Sequence, residues 1–202
     1  MDNEIRVRWV GGFFAPTLSL AKISKFGLIQ LLPREITGKV QTMEQVTYSP
    51  IGVIRSPFKE TAGTPIQPTG AGGIRGTIEI DPQFVPGLKD LEGFSHLILI
   101  YHFHFSRGYS LLVKPFLDES LRGVFATRAP RRPNPIGISV VRLIGIEQNI
   151  LHIEDVDIVD GTPLLDLKPY VPQFDYRQAE RIGWLHEVVD KAKDVRADAR
   201  FE

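Results

Sequence analysis

Cysteine is absent from the 202 residues, which excludes a disulfide framework, thiolate catalysis and cysteine-ligated zinc or iron–sulfur centres. The same absence agrees with a cytoplasmic setting. No apolar run reaches the ~18 residues of a membrane span, and Val10-Gly11-Gly12-Phe13-Phe14 is too short for one and lacks a signal-peptide core. A membrane partner is not expected. Excess charge of either sign is missing too: 24 Lys and Arg balance 24 Asp and Glu, and the pI is near 7.0. That excludes a generally basic nucleic-acid coat, so any RNA contact must come from local patches. No G-x-x-x-x-G-K-[S/T] run occurs, and Gly70-Ala71-Gly72-Gly73-Ile74-Arg75-Gly76 misses the dinucleotide-binding spacing and leads into a strand. P-loop and Rossmann sites are not supported.

What is present reads as β. A hydrophobic content of 43% suits one globular core. Strands fit Tyr48–Arg55, Gly76–Ile80, Leu97–Phe105, Ser110–Lys114, Gly123–Thr127, Ile138–Glu147 and Ile150–Ile158, with Gln148-Asn149 short enough for a hairpin turn. Helical segments of 10–15 residues do not intervene, so the expected fold is mainly β, an antiparallel sheet or small barrel rather than a doubly wound α/β sheet. The nearly continuous apolar run Leu97–Phe105 fits a strand buried on both faces or lining a barrel. From Tyr176 to Lys193, Ala179, Ile182, Leu185, Val188 or Val189, and Ala192 recur at helical spacing, which predicts one C-terminal helix packed on the barrel or a partner subunit. Residues 1–42 lack sustained patterning and are expected to be an extension outside the domain 43–202, with Met43 as a candidate start. Between the first two strands, Ser56–Gly73 is rich in Pro, Gly and Thr, a length of loop that usually carries function.

The richest segment is Gly123-Val124-Phe125-Ala126-Thr127-Arg128-Ala129-Pro130-Arg131-Arg132-Pro133-Asn134-Pro135-Ile136-Gly137. Pro130, Pro133 and Pro135 fix φ and remove amide donors, so a stiff loop presents Arg128, Arg131 and Arg132. Planar guanidinium groups on a pre-ordered backbone suit carboxylate or phosphate. A solvated basic turn would carry the same residue types.

His96, His102 and His104 share parity on one strand, and the last two are close enough for one metal. The trio cannot bind a single ion, because residues eight apart on a strand are separated by roughly 26 Å. No metal is expected. His104 reads instead as the hydrogen-bonding wall of a pocket or as a satisfied buried histidine. Glu154, Asp155, Asp157 and Asp160 crowd a strand end and the turn after it, where Asp157 or Asp160 can meet ribose hydroxyls or an amino group. A solvated acidic turn competes with that reading.

Five stretches occur in a fixed order: Ile51-Gly52-Val53-Ile54-Arg55-Ser56-Pro57-Phe58, Pro65-Ile66-Gln67-Pro68, Phe94-Ser95-His96-Leu97, the Gly123–Gly137 loop, and Asp160-Gly161-Thr162-Pro163-Leu164-Leu165-Asp166-Leu167-Lys168-Pro169-Tyr170. Together they resemble the TsaA-like (TrmO) family from about Val46 to Tyr170. That resemblance implies a single-sheeted antiparallel β-barrel, a homodimer, S-adenosyl-L-methionine as cofactor and tRNA as partner. The implied reaction is methylation of N6 of N6-threonylcarbamoyladenosine beside the anticodon. By position, it implies cofactor contacts at Pro65, Ile66, Gln67, His104, Phe105, Arg128, Ile138, Glu154, Asp155, Val156 and Asp157. Asp157 and Asp160 are the candidate catalytic carboxylates, and Arg131, Arg132, Asn134, Thr162, Asp166 and Lys168 the candidate substrate contacts. Two other classes remain open: a non-catalytic module that binds S-adenosylmethionine or an adenine nucleotide and acts through a partner, and a metal hydrolase built on the histidines.

Overall fold

The computed structural model describes residues 19–23, 29–32 and 45–201. The chain divides into two compact units, 1–46 and 47–202. In the first, β1 (Ser19–Ile23) and β2 (Ile29–Leu32) pair antiparallel, so the stretch expected to be unpatterned contains at least this strand pair. The rest of the 1–42 extension lies outside the described residues.

In the second unit six strands close into an antiparallel barrel. They are β3 (Gly52–Arg55), β4 (Arg75–Ile80), β5 (His96–His102), β8 (Ile136–Glu147), β9 (Ile150–Glu154) and β10 (Thr162–Pro169), in the circular order β10-β3-β4-β9-β8-β5. Between β5 and β8 the short strands β6 (Leu112–Val113) and β7 (Arg122–Gly123) form a separate two-stranded ribbon. Alternation makes the wall. On β5 every second residue, Leu97, Leu99 and Tyr101, is buried inside, as are Gly137, Ser139, Val141 and Leu143 on β8. Ile54, Ile78, Ile80, Leu151, Ile153 and Leu164 complete the core. The apolar run of β5 therefore lines a barrel rather than being buried on both faces.

β8 is the long element. Residues 136–142 pair with β5 and residues 142–147 with β9, the second pairing carrying a register shift between Leu143 and Gly145. Such a shift bends the strand and lets one element belong to two walls of a closed sheet. At its start, Gly137 lies flat against the Tyr101 ring, and a Cβ there would collide with ring carbons. Gly137→Ala is expected to cost about 1–3 kcal/mol, as overpacking of a tight core does, read from urea unfolding midpoints.

The expected C-terminal helix over 176–193 is not formed. A short helix α1 (Pro172–Asp175) is followed by 3-10 turns at Gly183–Glu187 and Val189–Lys193. Gly183 has φ of +59°, and Ile182 and Val188 have φ of −115° and −127°, so the right-handed path breaks twice where periodicity alone would carry it through. The segment is committed to the loops instead: Trp184 Nε1 donates to Ala126 O at 2.8 Å, and Ala197 pairs with Gly63 and Thr64 at 2.8 Å each. Gly123–Thr127, expected as a strand, is largely a 3-10 turn over Val124–Ala126. None of the helices among the described residues is long and apolar enough to cross a membrane.

Candidate active site on the barrel rim

Strand direction and pairing put six termini at one end of the barrel: the ends of β3, β5 and β9 and the beginnings of β4, β8 and β10. Register shows it directly, with Ile54 opposite Thr162, Arg75 opposite Glu154 and His102 opposite Ile136. Every segment carrying a candidate cofactor residue except Ile138 leaves or enters the barrel here. The 56–74 loop brings Pro65, Ile66 and Gln67; the end of β5 brings His104 and Phe105; the proline loop brings Arg128, Arg131, Arg132 and Asn134; and the turn after β9 brings Asp155, Val156 and Asp157.

Two clusters result. In the first, Arg128 Nη1 donates to Gln67 Oε1 at 2.8 Å, joining loops 61 residues apart in sequence. Arg128 also acts electrostatically on Asp157 and Tyr101. Ser139 Oγ donates to Asp157 Oδ1 at 2.7 Å, and Tyr101 Oη lies 3.0 Å from Ser139 Oγ. Asp157 keeps some surface open, yet its carboxyl is deep among packed atoms. Burial pushes its pKa up to about 6, against the pull of Ser139, its own backbone amide and Arg128. Burial, then the Asp157 charge, raises the Tyr101 phenol as well.

A left-handed residue delivers Asp157 to this place. Asp155 has φ of +68° and its Oδ1 accepts from Gly73 N at 2.9 Å, so β9 turns sharply and is tied to the start of β4. Val156, fully buried, then plugs the end of the core.

The second cluster holds His104, Thr162 and Asp160. His104 Nδ1 lies 3.3 Å from Thr162 Oγ1, which donates to Val159 O at 2.7 Å. Thr162 is therefore buried and occupied. Burial first, then the nearby His102, depresses the His104 pKa, so the ring is neutral near pH 7. It packs on Phe105 at 4.2 Å between centroids. Asp160 is fully engaged: Ser56 N donates to Oδ1 at 3.1 Å and Lys59 Nζ sits 2.8 Å from Oδ2. Lys59 chiefly, with the Ser56 amide, holds its pKa below the ordinary carboxylate value. That makes Asp160 a lock on the β10 turn and a weaker base than Asp157.

The remaining candidates spread out. Glu154 is ion-paired to both Arg75 and Arg142 at 3.5 Å. Ile138 points out of the barrel and is 54% exposed. Asp166 and Lys168 pair with each other at 2.7 Å farther down β10, opposite Ile100 and Ile98, away from the rim. Arg131 Nε and Ser106 Oγ are buried without a hydrogen-bond partner, two polar groups left for a ligand or water. Asn134 is exposed. Sequence reasoning missed Tyr101 and Ser139; the signal was a hydroxyl at inward parity on each of two otherwise apolar strands.

A cleft of about 560 Å³ opens on the outer wall and reaches the rim at Asp160, lined by Arg55, Lys59, Arg75, Thr77, Ile144 and His152 among others. Arg55 is already paired with Glu79 and Lys59 with Asp160, so the cleft offers little free charge. Among the described residues no group of three His, Asp or Glu side chains could hold a metal ion.

A closed antiparallel barrel gathers an arginine, a buried carboxylate and an aromatic pair on one rim, an architecture distinct from doubly wound nucleotide folds. A family model described as the tRNA-methyltransferase O N-terminal domain matches residues 53–176, and the chain belongs to that family. A Pyrococcus abyssi protein called a probable S-adenosyl-L-methionine-binding protein is 60% identical over 156 residues, covering 77% of this chain and 85% of the relative. The crystal structure of TrmO from Pseudomonas aeruginosa superposes with a TM-score of 0.60 at 46% identity, covering 69% of this chain and 62% of that one. A mouse tRNA (adenine(37)-N6)-methyltransferase is 36% identical over 136 residues, which are 64% of this chain and 32% of the mouse protein. The chain thus spans less than two thirds of the length of the last two.

Proposed function

We propose that this protein is an S-adenosyl-L-methionine-dependent tRNA methyltransferase acting as a homodimer on N6 of N6-threonylcarbamoyladenosine next to the anticodon. The observation that carries this reading is the rim cluster Gln67–Arg128–Asp157, which sets a carboxylate of raised pKa in the field of an exposed guanidinium. The donor set suits a zwitterionic, adenine-bearing sulfonium. Arg128 offers a fork for its carboxylate, the acidic turn 154–156 takes its ammonium and ribose, and the His104–Phe105 pair with the orphaned Ser106 Oγ meets its base. When bound, the cofactor supplies an electrophilic methyl group.

The chain's own residues then have three tasks. Gln67 and Arg128 fix the approach line, since an in-line displacement is governed by positioning. Asp157 Oδ2 accepts the N6 proton as the lone pair leaves conjugation with the ring, and a pKa of about 6 makes it a better base than an ordinary carboxylate while leaving it ionised at neutral pH. Arg131 and Arg132 on the proline loop contact RNA phosphate.

Incubation with purified tRNA and methyl-labelled donor, followed by nucleoside mass spectrometry, tests the reading. Label on N6 of threonylcarbamoyladenosine supports it. The name of the Pyrococcus relative favours a second reading, a binding module without transfer; saturable donor binding with no labelled nucleoside would select it.

A further inference from the structure

We propose that Tyr101 and Ser139 are positioning residues for this reaction, a directed pair of hydroxyls that runs out of the barrel interior and orients the Asp157 carboxylate. The inference rests on the methyltransferase reading. It starts from a polar pair in the wrong place: Tyr101 and Ser139 are 5% and 3% exposed, at inward positions otherwise filled by Leu97, Leu99, Val141 and Leu143. Burying two hydroxyls in such a core is unfavourable unless both are satisfied. Here each satisfies the next. An ionised Asp157 only accepts, so Ser139 must donate to Oδ1, which leaves the Ser139 oxygen to accept from Tyr101. Both protons therefore point toward the carboxylate, and charge on Asp157 polarises both bonds in the same sense.

The pair is held rigidly. Gly137 presses on one side of the Tyr101 ring and Phe103 meets it edge-on at 5.4 Å between centroids, so the phenol has little freedom to turn away. Oδ1 is occupied from inside, which reserves Oδ2 for the reacting amino group. In the transfer step the sulfonium–methyl bond breaks as the N6–methyl bond forms. The N6 proton passes to Oδ2, and the cofactor departs as a neutral thioether, so charge and atoms balance. Arg128 is the cation acting on Asp157, and Tyr101 the other titratable group facing it.

The test uses Ser139→Ala and Tyr101→Phe in the full chain, each first checked for cooperative melting. Carboxyl carbon-13 NMR follows Asp157 in donor-free protein, and kcat is measured across pH. Losing a donor to the ionised form raises a carboxyl pKa. Ser139→Ala should move the Asp157 midpoint up by about one unit, Tyr101→Phe by less in the same direction. The acidic limb of kcat should follow each shift, with KM for donor and tRNA within about twofold. Unmoved midpoints in the folded variants would overturn the relay, as would moved midpoints with an unmoved kcat profile. If one variant does not fold, the other decides by the same two readouts. Failure of the methyltransferase reading looks different: the wild-type chain would label no nucleoside, whatever the NMR midpoints do.

Discussion

Asp157→Asn is expected to lower kcat for methyl transfer by ~10²–10⁴-fold, the usual contribution of a general base, and to make the protein more stable. The amide keeps the shape and can still accept from Ser139, but it cannot take a proton. The stability gain follows from linkage. The folded-state pKa of about 6 lies above the unfolded value near 4, so between those limits the folded state binds more protons than the unfolded one. Stability contributed by the protonated carboxyl is present in full below about pH 4 and is lost as pH rises toward 6. Ionising Asp157 in place thus costs on the order of 3 kcal/mol above that window. The Asn variant should melt higher than wild type at pH 7.5, and the difference should vanish near pH 4. A variant equally active at pH 7.5, or one that melts lower there, would remove Asp157 from this role. A group that weakens the fold at working pH and serves only chemistry is the signature of an active site.

Arg128→Ala is expected to cost about 1.5–3 kcal/mol in donor binding, roughly 10–100-fold in affinity by calorimetry, with the melting temperature nearly unchanged. Arg128 is exposed and its side chain hydrogen-bonds to Gln67, so little of the fold depends on it. Lysine should rescue partly, since an ammonium cannot span Gln67 and a ligand carboxylate as a planar fork can. Removing Arg128 should also raise the Asp157 pKa, because one stabilising cation is withdrawn. The acidic limb of the rate profile should therefore move to higher pH. Arg131→Ala and Arg132→Ala should instead weaken tRNA binding in a salt-dependent way and leave donor affinity alone. Unchanged donor affinity in Arg128→Ala would return the loop to a solvated basic turn.

Much of the barrel was legible because alternation is a local property. Leu97, Leu99 and Tyr101, or Val141 and Leu143, announce an inner face without knowledge of any partner strand, and Gln148-Asn149 announces the β8–β9 hairpin, where Gln148 takes φ of +56°. What was not legible depends on distant contacts. Thr162–Pro169, with a proline near each end, is not among the expected strands, yet pairing with β3 and β5 makes it one. The 176–193 periodicity is real, but the left-handed Gly183 and the Trp184 bond to Ala126 outweigh a weak intrinsic preference. In the site, residue types picked out Arg128 and Asp157, whereas their connection through Gln67 and Ser139 required the closed barrel. Asp166 and Lys168 sit in a matching motif but are carried away from the rim by the rise of β10.

The C-terminal segment fastens both halves of the site at once. Ala197 and Arg196 join the Gln67 loop, while Trp184, Arg200 and Phe201 hold the stretch that leads to Arg128. This segment lies past residue 176, where the family match ends. The strap thus shapes the mouth of the site from outside the barrel that the family model covers. Substitutions confined to the strap can retune the mouth of the site while every barrel residue stays the same, so relatives with indistinguishable barrels are free to diverge in what they accept.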